Sequence, residues 1–149
     1  MLVRPLQPDD KPEWLRMRHL LFDDATYEEL ADEVDKWAGN QAKNAVLVYE
    51  SPEGKVQGMI EVSIRNYAEG CSTDHVGFIE GWYVNADVRQ QGIGRALVAA
   101  AENWAIEQGC TEMGSDAVLD NLLSHKAHTQ LGYEEVERIV CFRKDLKPK

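Results

Sequence analysis

Phe78-Ile79-Glu80-Gly81-Trp82-Tyr83-Val84, then Asn85-Ala86-Asp87-Val88, then Arg89-Gln90-Gln91-Gly92-Ile93-Gly94-Arg95 is the stretch on which the fold turns. Its first seven residues, apolar and aromatic, read as a central strand. Beyond the glycines, Ile93, Leu97, Ala100, Ala101, Trp104 and Ala105 recur at helical spacing and predict a long helix ending near Gly109. A strand that runs through a glycine-bearing turn into a helix aims unpaired backbone N–H groups and the positive end of the helix dipole at one point, which suits a phosphate. Glycine matters there because a side chain would hold the backbone away from the ligand. No Gly-x-x-x-x-Gly-Lys-Ser/Thr is present, and a dinucleotide site needs the longer Gly-x-Gly-x-x-Gly with an acidic residue about 20 positions on. Gly92-Ile93-Gly94 alone leaves phosphate binding and a plain helix start both open.

Working outward, Leu2-Val3-Arg4-Pro5-Leu6 reads as a short edge strand, because Pro5 cannot donate to a ladder. A first helix with Asp9 or Asp10 at its cap and Pro12 in its first turn carries Trp14, Leu15, Met17, Arg18, Leu20 and Leu21. A second begins near Thr26, with Glu29 as capping-box partner and Leu30, Val34 and Trp37 at helical spacing. The period then shortens: residues 45–49 and 56–64 flank Ser51-Pro52-Glu53-Gly54 as a hairpin. After the long helix the pattern predicts a strand at about 111–115, a helix from about Asn121 to Leu131 stopped by Gly132, and strand material from Tyr133 to Arg143. This order makes an α/β fold, a mixed sheet with helices on its faces.

The chain has 149 residues, a length expected to form one domain spanning 1–149. With 44% hydrophobic and 28% charged residues it is ordinary globular material rather than a disordered tract. Its 26 acidic residues outnumber the 16 basic ones, for a net charge of −10. That balance argues against nucleic acid or an anionic membrane as partner and leaves cations open. From Asp9 to Asp35 there are ten carboxylates against Lys11, Arg16 and Arg18, so most of the excess lies in this stretch, which spans the first two helices and the residues between them. Those faces are either solvated surface or a wall facing a polycation, whose attraction would fade with salt. Cys71, Cys110 and Cys141 are widely spaced, supporting neither a disulfide framework nor a zinc site, and no metal is expected. Met1 to Pro5 lacks a signal-peptide core, and the longest apolar run is only Ala96 to Ala101, so a cytoplasmic location is expected.

Trp82-Tyr83-Val84 through Arg89-Gln90-Gln91-Gly92-Ile93-Gly94 resembles the acetyl-CoA signature Arg/Gln-x-x-Gly-x-Gly/Ala of the Gcn5-related N-acetyltransferase (GNAT) superfamily. Asn121, Lys126, Ala127, Leu131, Gly132 and Tyr133 look like that superfamily's closing motif. Ser63-Ile64-Arg65-Asn66-Tyr67, Gly70-Cys71, Phe78-Ile79-Glu80-Gly81, Glu112-Met113-Gly114-Ser115-Asp116 and Gly132-Tyr133-Glu134-Glu135-Val136-Glu137-Arg138 are similar to bacterial aminoglycoside 6'-N-acetyltransferases.

The resemblance implies a mostly antiparallel sheet whose central strands splay to admit acetyl-CoA. It implies a donor pyrophosphate held by Gln90, Gln91, Gly92, Ile93, Gly94 and Arg95, pantetheine lined by Trp82, Tyr83 and Val84, and a further contact from Asn121. The acceptor would be a polycationic aminosugar, and relatives of this kind are commonly homodimers. Another amine, such as a polyamine or a peptide, and a non-catalytic acyl-CoA sensor are the alternatives. In the segment where relatives carry a Trp and a His near the substrate, this chain has Phe22-Asp23-Asp24. The superfamily's Tyr acid is replaced by His128, which is either that acid or a packing residue.

Moving acetyl from a thioester to an amine needs a neutral amine, an aligned carbonyl and a place for the developing oxyanion. Alkyl ammonium groups are protonated at neutral pH, so a carboxylate or a water chain must take a proton. Glu80 is the candidate base: strict alternation gives it the face of Phe78, Trp82 and Val84, an apolar setting that favours its protonated form. A structural carboxylate paired with a nearby Arg or Lys is the competing reading. Gly81 signals a bulge. Asp116, at the end of the next strand, either orients the amine or terminates the strand. By resemblance Tyr67 and Glu137 join Glu80 and Asp116 at the acceptor; an aromatic face there would attract cations and sugar.

Overall fold

The computed structural model describes residues 2–22, 25–38 and 43–147 and divides into two compact units, Met1–Asp116 and Ala117–Lys149. In the first, β1 (Leu2–Pro5) leads through a 3-10 turn (Pro8–Asp10) to α1 (Lys11–Leu21) and α2 (Tyr27–Ala38). β2 (Asn44–Glu50), β3 (Val56–Arg65) and β4 (Val76–Val84) follow, then α3 (Ile93–Glu107) and β5 (Met113–Ser115). The second unit holds α4 (Leu122–Gln130). The five strands lie in sequence order, antiparallel except for the parallel β4–β5 pair.

Each junction has a local cause. The Asp10 side chain turns back to accept from the Gln7 N–H at 2.8 Å and from Arg4 at 2.7 and 3.2 Å, tying β1 to the start of α1 instead of capping the helix. Arg4 also reaches Glu50, and the hydrogen bonds from Arg4 to Asp10 hold that carboxyl below its usual range. At α2, Thr26 Oγ1 accepts from the Glu29 N–H at 3.2 Å, as the capping pattern predicts. The hairpin closes where Gly54, at φ 83°, donates to the Ser51 carbonyl.

Two helical layers cover the sheet. Trp14, Met17 and Val34 pack with Val46, Val48 and Met59 on one face. On the other, α3 buries Ile93, Leu97, Val98, Ala101 and Ala105. Gly58 and Gly77 let that helix approach: a Cβ on Gly77 would lie 2.7 Å from Ala105 Cβ and from Met113 Sδ.

The register of β4 changes at one point. Val62 pairs with Ile79 but Glu61 pairs with Gly81, so Glu80 is an extra residue, a β-bulge. Pairing between β4 and β5 also stops at Ile79, opposite Ser115. From Glu80 to Val84, β4 has no described strand on that side, which is the splay the resemblance implies.

Strand material was expected from Tyr133 to Arg143, and the structure has neither strand nor helix there. The segment is largely exposed, with Phe142 at 91% and Val140 at 78%, and an alternating pattern becomes a strand only where a neighbour completes its ladder.

Gly81 backs directly onto a buried carboxylate. A Cβ there would sit 3.0 Å from Glu61 Oε1 and 3.4 Å from Leu21, and Glu61 cannot yield because Arg18 and Trp14 hold it. Gly81→Ala is therefore expected to cost about 1–3 kcal/mol, read as a lower denaturant midpoint at unchanged m-value. An unshifted midpoint would show that the bulge tolerates a side chain.

Candidate functional site

The bulge decides which residues share a face. Residues paired across antiparallel strands point the same way, so Ser63 and Phe78 lie with Glu61 and Gly81 and with Met59 and Tyr83 on the α1–α2 face. Trp82 and Val84, opposite Ile60 and Gly58, lie on the α3 face. Glu80 joins the first set: its Oε2 accepts from Ser63 Oγ at 2.6 Å and Arg65 Nε at 2.8 Å, and its Oε1 from Arg65 Nη2 at 2.6 Å. Two expectations are corrected here. Glu80 shares a face with Phe78 but not with Trp82 and Val84, because one inserted residue reverses the alternation beyond it. Its setting is an ion pair rather than apolar, because Ser63 and Arg65 occupy its face.

Arg65 is the centre of this cluster. Its guanidinium lies 3.7 Å over the Phe78 ring, and Glu80 chiefly, with Asp116 and Glu69 further off, raises its pKa. Asp116 follows β5 immediately and is exposed, within electrostatic reach of the same guanidinium. Tyr67 stands 65% exposed in the loop after β3. That loop is clipped to β5 by Glu112, whose carboxylate accepts from the Ser72 and Thr73 N–H groups. Glu80, Asp116 and Tyr67 thus belong to the first unit. Glu137, Asn121 and His128 belong to the second, where Asn121 caps α4 by accepting from the Ser124 N–H at 3.2 Å.

Behind Glu80 lies a cavity of about 500 Å³ lined by Arg18, Phe22, Glu33, Lys36, Trp37, Asn44, Glu61 and Glu80. Phe22 therefore does wall the site, stacked against Arg18 at 5.0 Å, while Asp23 and Asp24 lie outside the described residues. Arg18 donates to both Glu61 oxygens at 2.6 and 2.5 Å and to Glu33, and Trp14 Nε1 donates to Glu61 at 2.7 Å. Burial raises the Glu61 pKa, and these donors oppose that rise. Sequence reasoning overlooked Glu61, Ser63 and Arg65 as one set. Their signal was present: polar residues every second position against Ile60, Val62 and Ile64 mark one polar face of β3.

The loop before α3 has the predicted shape. Gln90 is left-handed at φ 65°, and Gly92 caps the helix at φ 84°. Gly94 leaves room for Trp82, whose Cζ2 a Cβ would meet at 3.1 Å. Arg89 Nε ties the turn to the Val84 carbonyl at 2.9 Å. The first amides of a helix have no intrahelical partner, so this end suits a pyrophosphate. Burial pushes the Cys71 and Cys110 thiols up, away from a nucleophilic thiolate. No helix among the described residues is long and apolar enough to cross a membrane, and no group of metal-ligating side chains gathers there.

With this geometry in hand, comparison with known proteins is specific. Residues 14–133 match the acetyltransferase (GNAT) family. The chain is 45% identical to an aminoglycoside N(6')-acetyltransferase type 1 of Klebsiella aerogenes over 97% of each chain. It is 37% identical to one of Stenotrophomonas maltophilia, covering 98% of this chain and 94% of that one. Among solved structures, it matches the apo aminoglycoside antibiotic 6'-N-acetyltransferase AAC(6')-IG of Acinetobacter haemolyticus with a TM-score of 0.91 and 34% identity, over 99% of this chain and 100% of that one. AAC(6')-Iy in complex with the bisubstrate analog CoA-S-monomethyl-acetylneamine aligns with a TM-score of 0.90 at 30% identity, over 97% of each chain. Strand splay, glycine turn and full-length similarity agree, and the chain belongs to the GNAT acetyltransferase family.

Proposed function

We propose that this protein transfers the acetyl group of acetyl-CoA to the 6'-amine of aminoglycoside antibiotics by direct attack of the deprotonated amine. The observation that carries the reading is the parting of β4 from β5 at the bulge, which puts Glu80 and Asp116 beside a gap continuous with the strand leading to the glycine turn. Relatives that share up to 45% of their residues with nearly the whole chain bear the name of this activity. Acetyl-CoA supplies an activated thioester. Gln90, Gln91, Gly92, Ile93, Gly94 and Arg95 hold its pyrophosphate, Trp82, Tyr83 and Val84 line its pantetheine arm, and Asn121 is assigned a further cofactor contact by resemblance alone.

The residues of the chain have three tasks. Glu80, through a water or directly, accepts the proton that the ammonium must lose before its nitrogen can attack. Asp116 orients the amine by a charge-assisted hydrogen bond. The free side of β4 offers a backbone N–H to the carbonyl oxygen as the C–N bond forms and the C–S bond breaks. The thiol of CoA leaves readily enough that a strong acid is dispensable, and His128 is not assigned that role. Tyr67 offers a ring face to the aminosugar and Glu137 a further carboxylate. The working protein is a reduced, cytoplasmic homodimer, a reading supported by three free cysteines and by apolar Val140, Phe142 and Leu146 standing exposed in the second unit.

Purified protein mixed with acetyl-CoA and kanamycin or tobramycin should release thiol and give a mass shift of one acetyl group. Turnover of spermidine or peptides alone would instead mark another amine as acceptor, and no turnover at all would indicate an acyl-CoA sensor. Glu80→Gln and Asp116→Asn should each lower kcat, by about 10²-fold for the base, with acetyl-CoA affinity retained. Wild-type rates in either variant would remove that residue from the mechanism. Sedimentation should give twice the chain mass, shifting to monomer when Val140 and Phe142 are changed to Ser; a monomeric parent chain would refute the dimer.

A further inference from the structure

On the α1–α2 face, the Arg18–Glu61 and Arg65–Glu80 pairs differ in their exposure. Arg18 and Glu61 have side chains 7% and 2% exposed, and Trp14 also holds Glu61. Arg65 and Glu80 are 40% and 22% exposed. A buried pair cannot part without stranding charge, whereas an open one is worth little and exchanges readily.

Glu80 has little acceptor capacity to spare. An ionised carboxylate offers about four lone-pair positions. Arg65 and Ser63 take both on Oε2, and Arg65 takes one on Oε1. A single direction on Oε1 remains, while the charge of Glu80 is matched by the guanidinium. An acceptor ammonium arriving there meets a carboxylate already engaged with a cation.

Arg65 has somewhere else to rest. Its guanidinium lies over the Phe78 ring at 3.7 Å, and Asp116 and Glu69 are both within electrostatic reach. On leaving Glu80 it keeps an aromatic face and anionic neighbours, so its release strands no charge.

We propose that Arg65 is a placeholder cation: it occupies Glu80 in the empty enzyme and is displaced from it by an ammonium group of the acceptor. The inference rests on Glu80 facing the acceptor, as proposed above, and makes Arg65 a positioning and specificity-determining residue. It exchanges cation for cation, so Glu80 never stands without a countercharge. It also discriminates: an acceptor must carry a positive charge to take the place of the guanidinium, and a neutral amide or alcohol of the same shape cannot.

The test is a double-mutant cycle on acceptor binding, measured by calorimetry with kanamycin, alongside turnover and acetyl-CoA affinity. Arg65→Gln should tighten kanamycin binding by about two- to fivefold, and Arg65→Lys, which keeps the charge but loses the bidentate fork, should tighten it by less. In a Glu80→Gln background the Arg65→Gln gain should vanish. Equal tightening with and without Glu80 would overturn the proposal, since Arg65 would then act by net charge alone. Weaker or unchanged binding in Arg65→Gln would also overturn it and make Arg65 a fixed support. Failure of the Glu80 reading shows separately, as wild-type turnover and kanamycin affinity in Glu80→Gln alone.

Discussion

One extra residue in β4 governs the working half of this molecule. With Glu80 unpaired in the ladder, every side chain from Gly81 to Val84 changes face relative to Phe78, and hydrogen bonding to β5 ends one residue earlier. A regular strand would set Glu80 in register and close the sheet; the bulge leaves a gap with a carboxylate at its edge. The arrangement persists because Gly81 has no Cβ to meet the Glu61 carboxylate, and because Trp14 and Arg18 lock that carboxylate from α1. The bulge is therefore backed by a buried ion pair that lines the same cavity as Glu80.

Charge is organised in two layers around this point. The carboxylates of α2 are mostly exposed, yet α1, its cap Phe22 and α2 also supply Arg18, Phe22, Glu33, Lys36 and Trp37 to the cavity beside Glu80. The stretch from Asp9 to Asp35 that includes these helices carries most of the net negative charge, a distribution suited to drawing in a polycation. Within the cleft Glu80 is already matched by Arg65, and Glu61 by Arg18. Long-range attraction and short-range neutrality coexist, and cations are drawn to a site that does not hold bare buried charge.

Much of this was legible in the residues. The hairpin, the first two helices, the glycine turn and the long α3 follow from local period and punctuation, which need only neighbours in sequence. Gly81 announced its bulge. The face of Trp82 and Val84 was misread because alternation was carried through the bulge as though the strand were regular. The Tyr133 to Arg143 segment was misread for another reason: apolar and β-branched residues give a strand its tendency, but only a paired neighbour gives it hydrogen bonds.

Composition and period determined by themselves the fold class and the loop that opens α3, while the family rested on the resemblance of the stretch from Trp82 to Gly94 to a known signature. They also named Glu80 and Asp116 as carboxylates of interest. Only the tertiary structure decided that Glu80 is held by Ser63 and Arg65, that Arg65 lies over Phe78, and that Glu61 sits beneath Gly81 in the grip of Arg18 and Trp14. The reason is geometric. Period and propensity are properties of adjacent residues, whereas an ion pair between β3 and β4, or between α1 and β3, depends on register and on a bulge that shifts it by one.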